Sequence, residues 1–295
     1  MVPAPVKTIN PTSELRSLIK PEHIQATVIE STRGWVSLGL KDVWEYRELL
    51  LFLIWRELQG IYRQTALGIS WIFLRPIINM LLLSLVFGRL IKVPSDGQPY
   101  PLFYLSALLP WGFFSNAVMR ASHSLVDNMH VIAKVYFPRL VIPMAGAMSG
   151  LVDFLASFIV FLVTMLIYRT PLRIEMVWLP VFFLVAFAFS LAVGLWLATL
   201  SVKYRDVSFA VNFLLLALMY LSPVIYSVSL VPAPFTYIYQ LNPMTGVIQG
   251  FRWALLGSGD PPGVMFLISV GLVLVGLITG AYVFRRTERT VVDIL

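Results

Sequence analysis

The sequence predicts an all-α integral membrane protein with six membrane-spanning helices, an interfacial amphipathic helix before the first and a re-entrant helical hairpin before the last. Three observations carry that prediction. Hydrophobic residues make up 58% of the 295 positions and charged residues only 13%, with a mean hydropathy of +0.82, well outside the balance of a soluble globular domain. Six stretches stay apolar for about 20 residues or more, the length a helix needs to cross a hydrocarbon layer of roughly 30 Å. Lysine and arginine collect in alternate connections, as they do in chains threaded through a bilayer.

Residues 1–41 hold Pro3, Pro5, Pro11 and Pro21 among many polar residues and lack the apolar core of a cleavable signal, so they are expected to remain as a cytoplasmic tail. In 42–62, "DVWEYRELLLFLIWRELQ" sets Glu45, Glu48, Arg56 and Gln59 along one helical face, while the apolar run from Leu49 to Trp55 is too short to span. This reads as a helix lying in the membrane interface, with Trp44, Tyr46 and Trp55 at headgroup level. Residues 63–295 form the membrane domain, with spans at about 68–91, 101–121, 140–168, 177–200, 207–227 and 264–284. Between the last two, 228–262 is too apolar for a solvated loop, yet "VPAP", "NPM" and "GDPPG" cut it into pieces too short to cross. Short helices that enter and leave on one side satisfy their backbone only when buried against protein or a wet cavity, which predicts the hairpin around Phe235–Leu256, turning at Asn242-Pro243.

Basic residues set the orientation. One side receives eight Lys and Arg between Lys7 and Arg63, then Arg120, Lys134, Arg139, Lys203, Arg205, Arg285, Arg286 and Arg289. The other receives Arg89, Lys92, Arg169, Arg173 and Arg252, so both termini are expected in the cytoplasm. The net charge of +7 is accounted for by these residues beside apolar spans, and no nucleic-acid partner is expected.

Several chemistries are excluded. The chain has no cysteine, hence no disulfide, thiolate or Cys-based metal site. His23, His123 and His130 are scattered, so no metal is expected. No glycine is followed by lysine, so no Walker A loop can cradle a nucleotide, and any ATP must be bound by a partner. The carboxylates are isolated, which disfavours an integral-membrane lipid or glycan transferase, and an ion-coupled transporter needs more spans and more buried carboxylates. The two short cytoplasmic connections, "LVDNMHVIAKVYFPRLVIPM" and "KYRD", read either as docking points for an ATP-using subunit or as plain positive-inside anchors.

"TVIESTRGWVSLGLKDVWEYRELLLFLIWRE", "YRQTALGISWIFLRP", "LLPWGFFSNAV", "VIAKVYFPRLVIP", "KYRDV" and "LSPVIYS…LNPM", in this order, resemble the permease subunits of type-2 ABC exporters. They are most similar to the branch that exports lipid-linked polysaccharides such as O-antigen, with teichoic-acid and capsular-polysaccharide permeases as near relatives. The resemblance runs from about residue 27 to the C-terminus. It implies a bacterial inner-membrane homodimer with two copies of a separate cytoplasmic ATPase, which alone binds ATP and Mg, and a lipid-linked polymer passing between the two permeases among membrane lipids. A small-drug exporter is the rival within the class. It also implies that 124–138 is a coupling helix seated in the ATPase and that Lys203–Asp206 is a second contact. The docking candidates are therefore Asn128, His130, Lys134, Tyr136, Pro138, Arg139, Lys203, Arg205 and Asp206. One departure stands out: Gln59-Gly60-Ile61 precedes Tyr62-Arg63 where relatives often carry basic residues, which weakens any headgroup binding by Arg63.

Within that frame, candidates for the translocation path are Arg75, Trp111, Phe114, Asp153, Tyr220, Tyr226, Tyr237 and Tyr239. Asp153 is the one carboxylate deep in a span, where ionisation costs roughly 2.5–3.5 kcal/mol on insertion scales. It must face the bundle or the path, either bonding another helix or wetting the passage. Arg75 either snorkels to the interface or gates the lipid pyrophosphate. The aromatics either form the interfacial belt or stack on sugar faces.

Overall fold

The computed structural model describes residues 40–62, 67–132, 134, 137–204 and 206–294. Every regular element among them is helical. Helices α1 (Leu40–Glu45) and α2 (Arg47–Tyr62) occupy the predicted interface segment. The first span begins with a 3-10 turn, Gly68–Ser70, continues as α3 (Trp71–Leu83) and widens into π-helical turns over Ser84–Leu90. Then follow α4 (Tyr100–Asp127), the short α5 (Met129–Ile132), α6 (Val141–Tyr168), α7 (Leu179–Lys203) and α8 (Val207–Tyr220). The chain ends with α9 (Ala233–Gln240), α10 (Pro243–Leu256) and α11 (Val264–Ile294).

Local chemistry fixes the ends. Pro101 in the first turn of α4 and Pro180 in that of α7 stand where a missing N–H costs nothing. Asn242 caps α10, its Oδ1 accepting from the Met244 N–H at 3.0 Å, and Gly257 closes it with φ of 67°, a conformation without penalty only for glycine.

Among the described residues, five helical stretches are long and apolar enough to cross a membrane: Gly68–Leu90, Tyr100–Asp127, Val141–Tyr168, Ile174–Lys203 and Val264–Thr287. The predicted sixth, 207–227, is present as a shorter apolar helix, and only its far bound is corrected. Its helix stops at Tyr220 after 14 residues, about 21 Å at 1.5 Å each, and the chain turns through 221–227. Pro223 lacks an N–H, and the Ile225 carbonyl accepts a hydrogen bond from the Tyr100 hydroxyl at 2.7 Å instead of continuing a helix.

Helix α4 is the axis of the packing, with 72% of its apolar stretch buried against 11% for the first span. It lies against α6, α7 and α10. Phe113 of α4 meets Phe183 of α7 at 4.6 Å between ring centroids, and Phe154 of α6 meets the same ring at 4.7 Å. Small residues let backbones approach: Gly146 faces the Arg120 backbone, and Gly194 faces Ala121. A β-carbon on Gly194 would stand 2.6 Å from that of Ala121, so Gly194→Val is expected to force α7 off α4. A destabilisation of about 1–3 kcal/mol should show as a lowered thermal midpoint in detergent. Opposite faces carry exposed Phe209, Phe213, Leu166 and Ile167, a surface that suits hydrocarbon rather than water.

Candidate functional site

Helices α3, α4 and α6, with Met219 of α8, line a half-open cavity of about 400 Å³. Arg75, Trp111 and Asp153, each singled out from sequence on separate grounds, line it together. So do Asn79, Ser115, Asn116 and Ser157, which give a span-depth cavity amide and hydroxyl groups able to bond water or sugar hydroxyls. Phe114, by contrast, is wholly buried, stacked on Phe189 at 4.9 Å, and does not line the cavity. Its neighbour Phe113 does.

Asp153 is held from α4. Arg120 donates from Nη2 to Asp153 Oδ2 at 2.6 Å and from Nη1 to Ser149 Oγ at 2.7 Å. The sequence reading counted Arg120 with a cytoplasmic connection, but it lies inside α4, part-buried. The pair therefore braces α4 to α6, the two helices that flank the 128–140 connection.

At the C-terminal end of α4, Asn128 is buried rather than displayed. Its Nδ2 donates to the Ser124 carbonyl at 2.8 Å, and its Oδ1 accepts from Arg56 Nη2 of α2. Helix α2 is thus tied to the start of the 128–140 connection by a side-chain bond. His130 and Lys134 are exposed, while Pro138 and Arg139 are half-buried at the entry to α6. Lys203 and Asp206 are exposed at the α7–α8 turn, where the Asp206 carbonyl accepts from the N–H of Phe209 and Ala210. Tyr136 and Arg205, like Arg63, lie outside the described residues.

The remaining tyrosines gather at the other end. Tyr239 donates its hydroxyl to that of Tyr226 at 3.0 Å, and Tyr226 donates to the Tyr220 carbonyl at 2.7 Å. Tyr220 and Tyr237 are exposed, and none of the four lines the 400 Å³ cavity.

Beneath this cluster stands a residue the sequence reading passed over as a connection charge. Arg252 of α10 is 3% exposed, with Nη1 and Nη2 donating to the Tyr226 and Val224 carbonyls at 3.3 Å each and its guanidinium 3.6 Å from the Phe103 ring centroid. The signal was present: a lone charge between Phe251 and Trp253 in an apolar helix rarely faces lipid.

Among the described residues no group of three or more His, Asp or Glu is placed to hold a metal ion.

Residues 48–256, more than half of the chain, match the family described as ABC-2 type transporter. The chain is 30% identical over 257 residues to the O-antigen export system permease protein RfbA of Myxococcus xanthus, covering 84% of this chain and 96% of the relative. It is 24% identical over 250 residues to the protein of the same name from Klebsiella pneumoniae, covering 84% and 95%. It is 29% identical over 249 residues to the inner membrane transport permease YadH of Escherichia coli K12, covering 79% and 94%.

Proposed function

From the premise that the chain belongs to the ABC-2 type transporter family, we propose that it is the membrane-spanning subunit of an ATP-driven exporter for a lipid-linked, O-antigen-like polysaccharide. The observation that carries this reading is the conjunction of relatives named O-antigen export permeases, over nearly their whole length, with a span-depth cavity bearing aromatic, amide, hydroxyl and charged groups. A sugar polymer needs hydroxyl partners and flat apolar faces along its route, and that lining supplies both.

Two copies of the chain pair with two copies of a cytoplasmic ATPase, which binds ATP and Mg. Each cavity forms one wall of the path between the copies. The His130–Lys134 surface and the Lys203–Asp206 turn receive the ATPase, both termini lie in the cytoplasm, α1 and α2 lie in the interface, and α9 and α10 re-enter from the outer side. Transport then follows from coupling: a push on the docking segment reaches α2 through Arg56–Asn128, and reaches α4 and α6 together through Arg120–Asp153.

Deleting the gene in its host and extracting both surface and intracellular glycans tests the export reading. The surface polymer should be lost, with completed lipid-linked chains accumulating inside. Unchanged glycans in both fractions would overturn polysaccharide export and favour a small-drug exporter.

A further inference from the structure

We propose that Arg75 makes the cavity an anion-recognising subsite, taking a phosphate or carboxylate group borne by the cargo; this rests on the export reading above. Arg75 belongs to α3, inside the apolar stretch Gly68–Leu90, yet its exposed side chain borders the cavity walled by α4 and α6. Phe73, Ile78, Leu81 and Leu82 form the exposed apolar surface of the same helix. Among the described residues Arg75 makes no ion pair or side-chain hydrogen bond.

Among the described residues, the charges around the cavity leave Arg75 without a paired carboxylate. Asp153 is the only carboxylate among the described lining residues, and Arg120 meets it at 2.6 Å. Asn79, Ser115, Asn116 and Ser157 are neutral. A guanidinium at span depth without a counter-ion is costly, and such a residue marks a ligand path by default. A cationic ligand would be repelled and a neutral sugar would leave the charge unmatched. An oxyanion offers the planar, two-oxygen partner that a guanidinium binds in bidentate fashion. The neutral amides and hydroxyls beside it can complete the hydrogen bonding of either oxyanion.

Two parts of a lipid-linked polymer carry such groups: the phosphates of the carrier lipid, and acidic sugars of the glycan. A chain with no native cysteine permits a test that separates them. Asn79→Cys, labelled with bimane in the full-length protein in lipid nanodiscs, reports on the cavity. The probes are farnesyl diphosphate against farnesol, and trigalacturonate against maltotriose.

At least one anion should shift the bimane emission with an affinity that falls as salt rises, while its neutral counterpart binds more weakly. Arg75→Gln should weaken that binding by about tenfold or more, and Arg75→Lys should weaken it less, because it keeps the charge but loses the bidentate geometry. Binding of the diphosphate alone assigns the subsite to the carrier lipid, and binding of the uronate alone to an acidic polymer. Binding of both makes it a general oxyanion subsite. If no anion binds, if affinity ignores salt, or if a well-folded Arg75→Gln binds anions as the wild type does, the proposal falls. The wild-type salt dependence decides the matter even where Arg75→Gln fails to fold. The export reading is judged separately in the deletion strain. Full rescue of the surface polymer by Arg75→Gln would remove the subsite and leave export standing, whereas unchanged glycans on deletion would remove export whatever Arg75 binds.

Discussion

Replacing Asp153 alone with leucine is expected to destabilise the protein by about 3–5 kcal/mol, and replacing Arg120 and Asp153 together with methionine and leucine to restore most of that loss. The reasoning starts from burial: the two side chains are only 14% and 17% exposed and meet at 2.6 Å between helices that are otherwise apolar. Asp153→Leu leaves a guanidinium that cannot shed its proton, held inside a helix bundle with Ser149 as its remaining named partner. Arg120→Met should cost less, because the carboxylate left behind borders a cavity large enough for water. Removing both ends removes the uncompensated charge and leaves apolar groups of similar volume. Thermal unfolding in detergent micelles, with the monodisperse fraction on size exclusion, orders the three variants. The double variant should lie nearest to wild type, Arg120→Met next and Asp153→Leu lowest. If the double variant is as unstable as Asp153→Leu, the pair is not what braces α4 to α6.

How far these features were legible in the sequence depends on whether the signal is local. Hydropathy is a property of the segment itself, so the five long spans were placed to within a few residues at most of their ends. It fails in "YLSPVIY", where the side chains are as apolar as in a span but the backbone is turned by Pro223 and held by Tyr100 and Arg252, residues more than 20 positions away. The cost of an ionised carboxyl showed that Asp153 must face inward, but not that Arg120 meets it. That pairing depends on the angle at which α4 and α6 cross, and counting charges for orientation had already assigned Arg120 to a connection. Trp111 and Phe114 stand three positions apart on one helix, yet Trp111 borders the cavity while Phe114 stacks on Phe189. Helical spacing places two side chains near each other without saying which of them the neighbouring helix covers. Asn128 illustrates the same limit: the resemblance made it a docking candidate, and the approach of α2 buries it between Ser124 and Arg56.

Arg252→Met should free the 221–227 segment, exposing Val224 to labelling at a rate at least about tenfold faster than in the parent protein. Val224 and Ile225 are buried although they lie in a turn, which requires their backbone carbonyls to find donors inside the protein. Arg252 supplies donors to the Val224 and Tyr226 carbonyls, and Tyr100 supplies one to Ile225. Methionine keeps much of the volume and a favourable contact with Phe103, so the substitution isolates the loss of donors and of the cation–ring attraction. Two buried carbonyls without donors cost about 1–3 kcal/mol each, and tenfold in an opening equilibrium corresponds to only about 1.4 kcal/mol. The readout uses Val224→Cys in the cysteine-free chain, reacted with a maleimide in nanodiscs, with and without Arg252→Met. Arg252→Lys should fall between the two, since an ammonium can still meet one carbonyl and the Phe103 face but not both carbonyls in the guanidinium's fixed geometry. An unchanged labelling rate in Arg252→Met would mean that Tyr100, Ser227–Asp96 and Asn242–Ser222 hold the segment without it. A faster rate would make Arg252 the residue that sets where Tyr226, and through it Tyr239, stands at this end of the bundle.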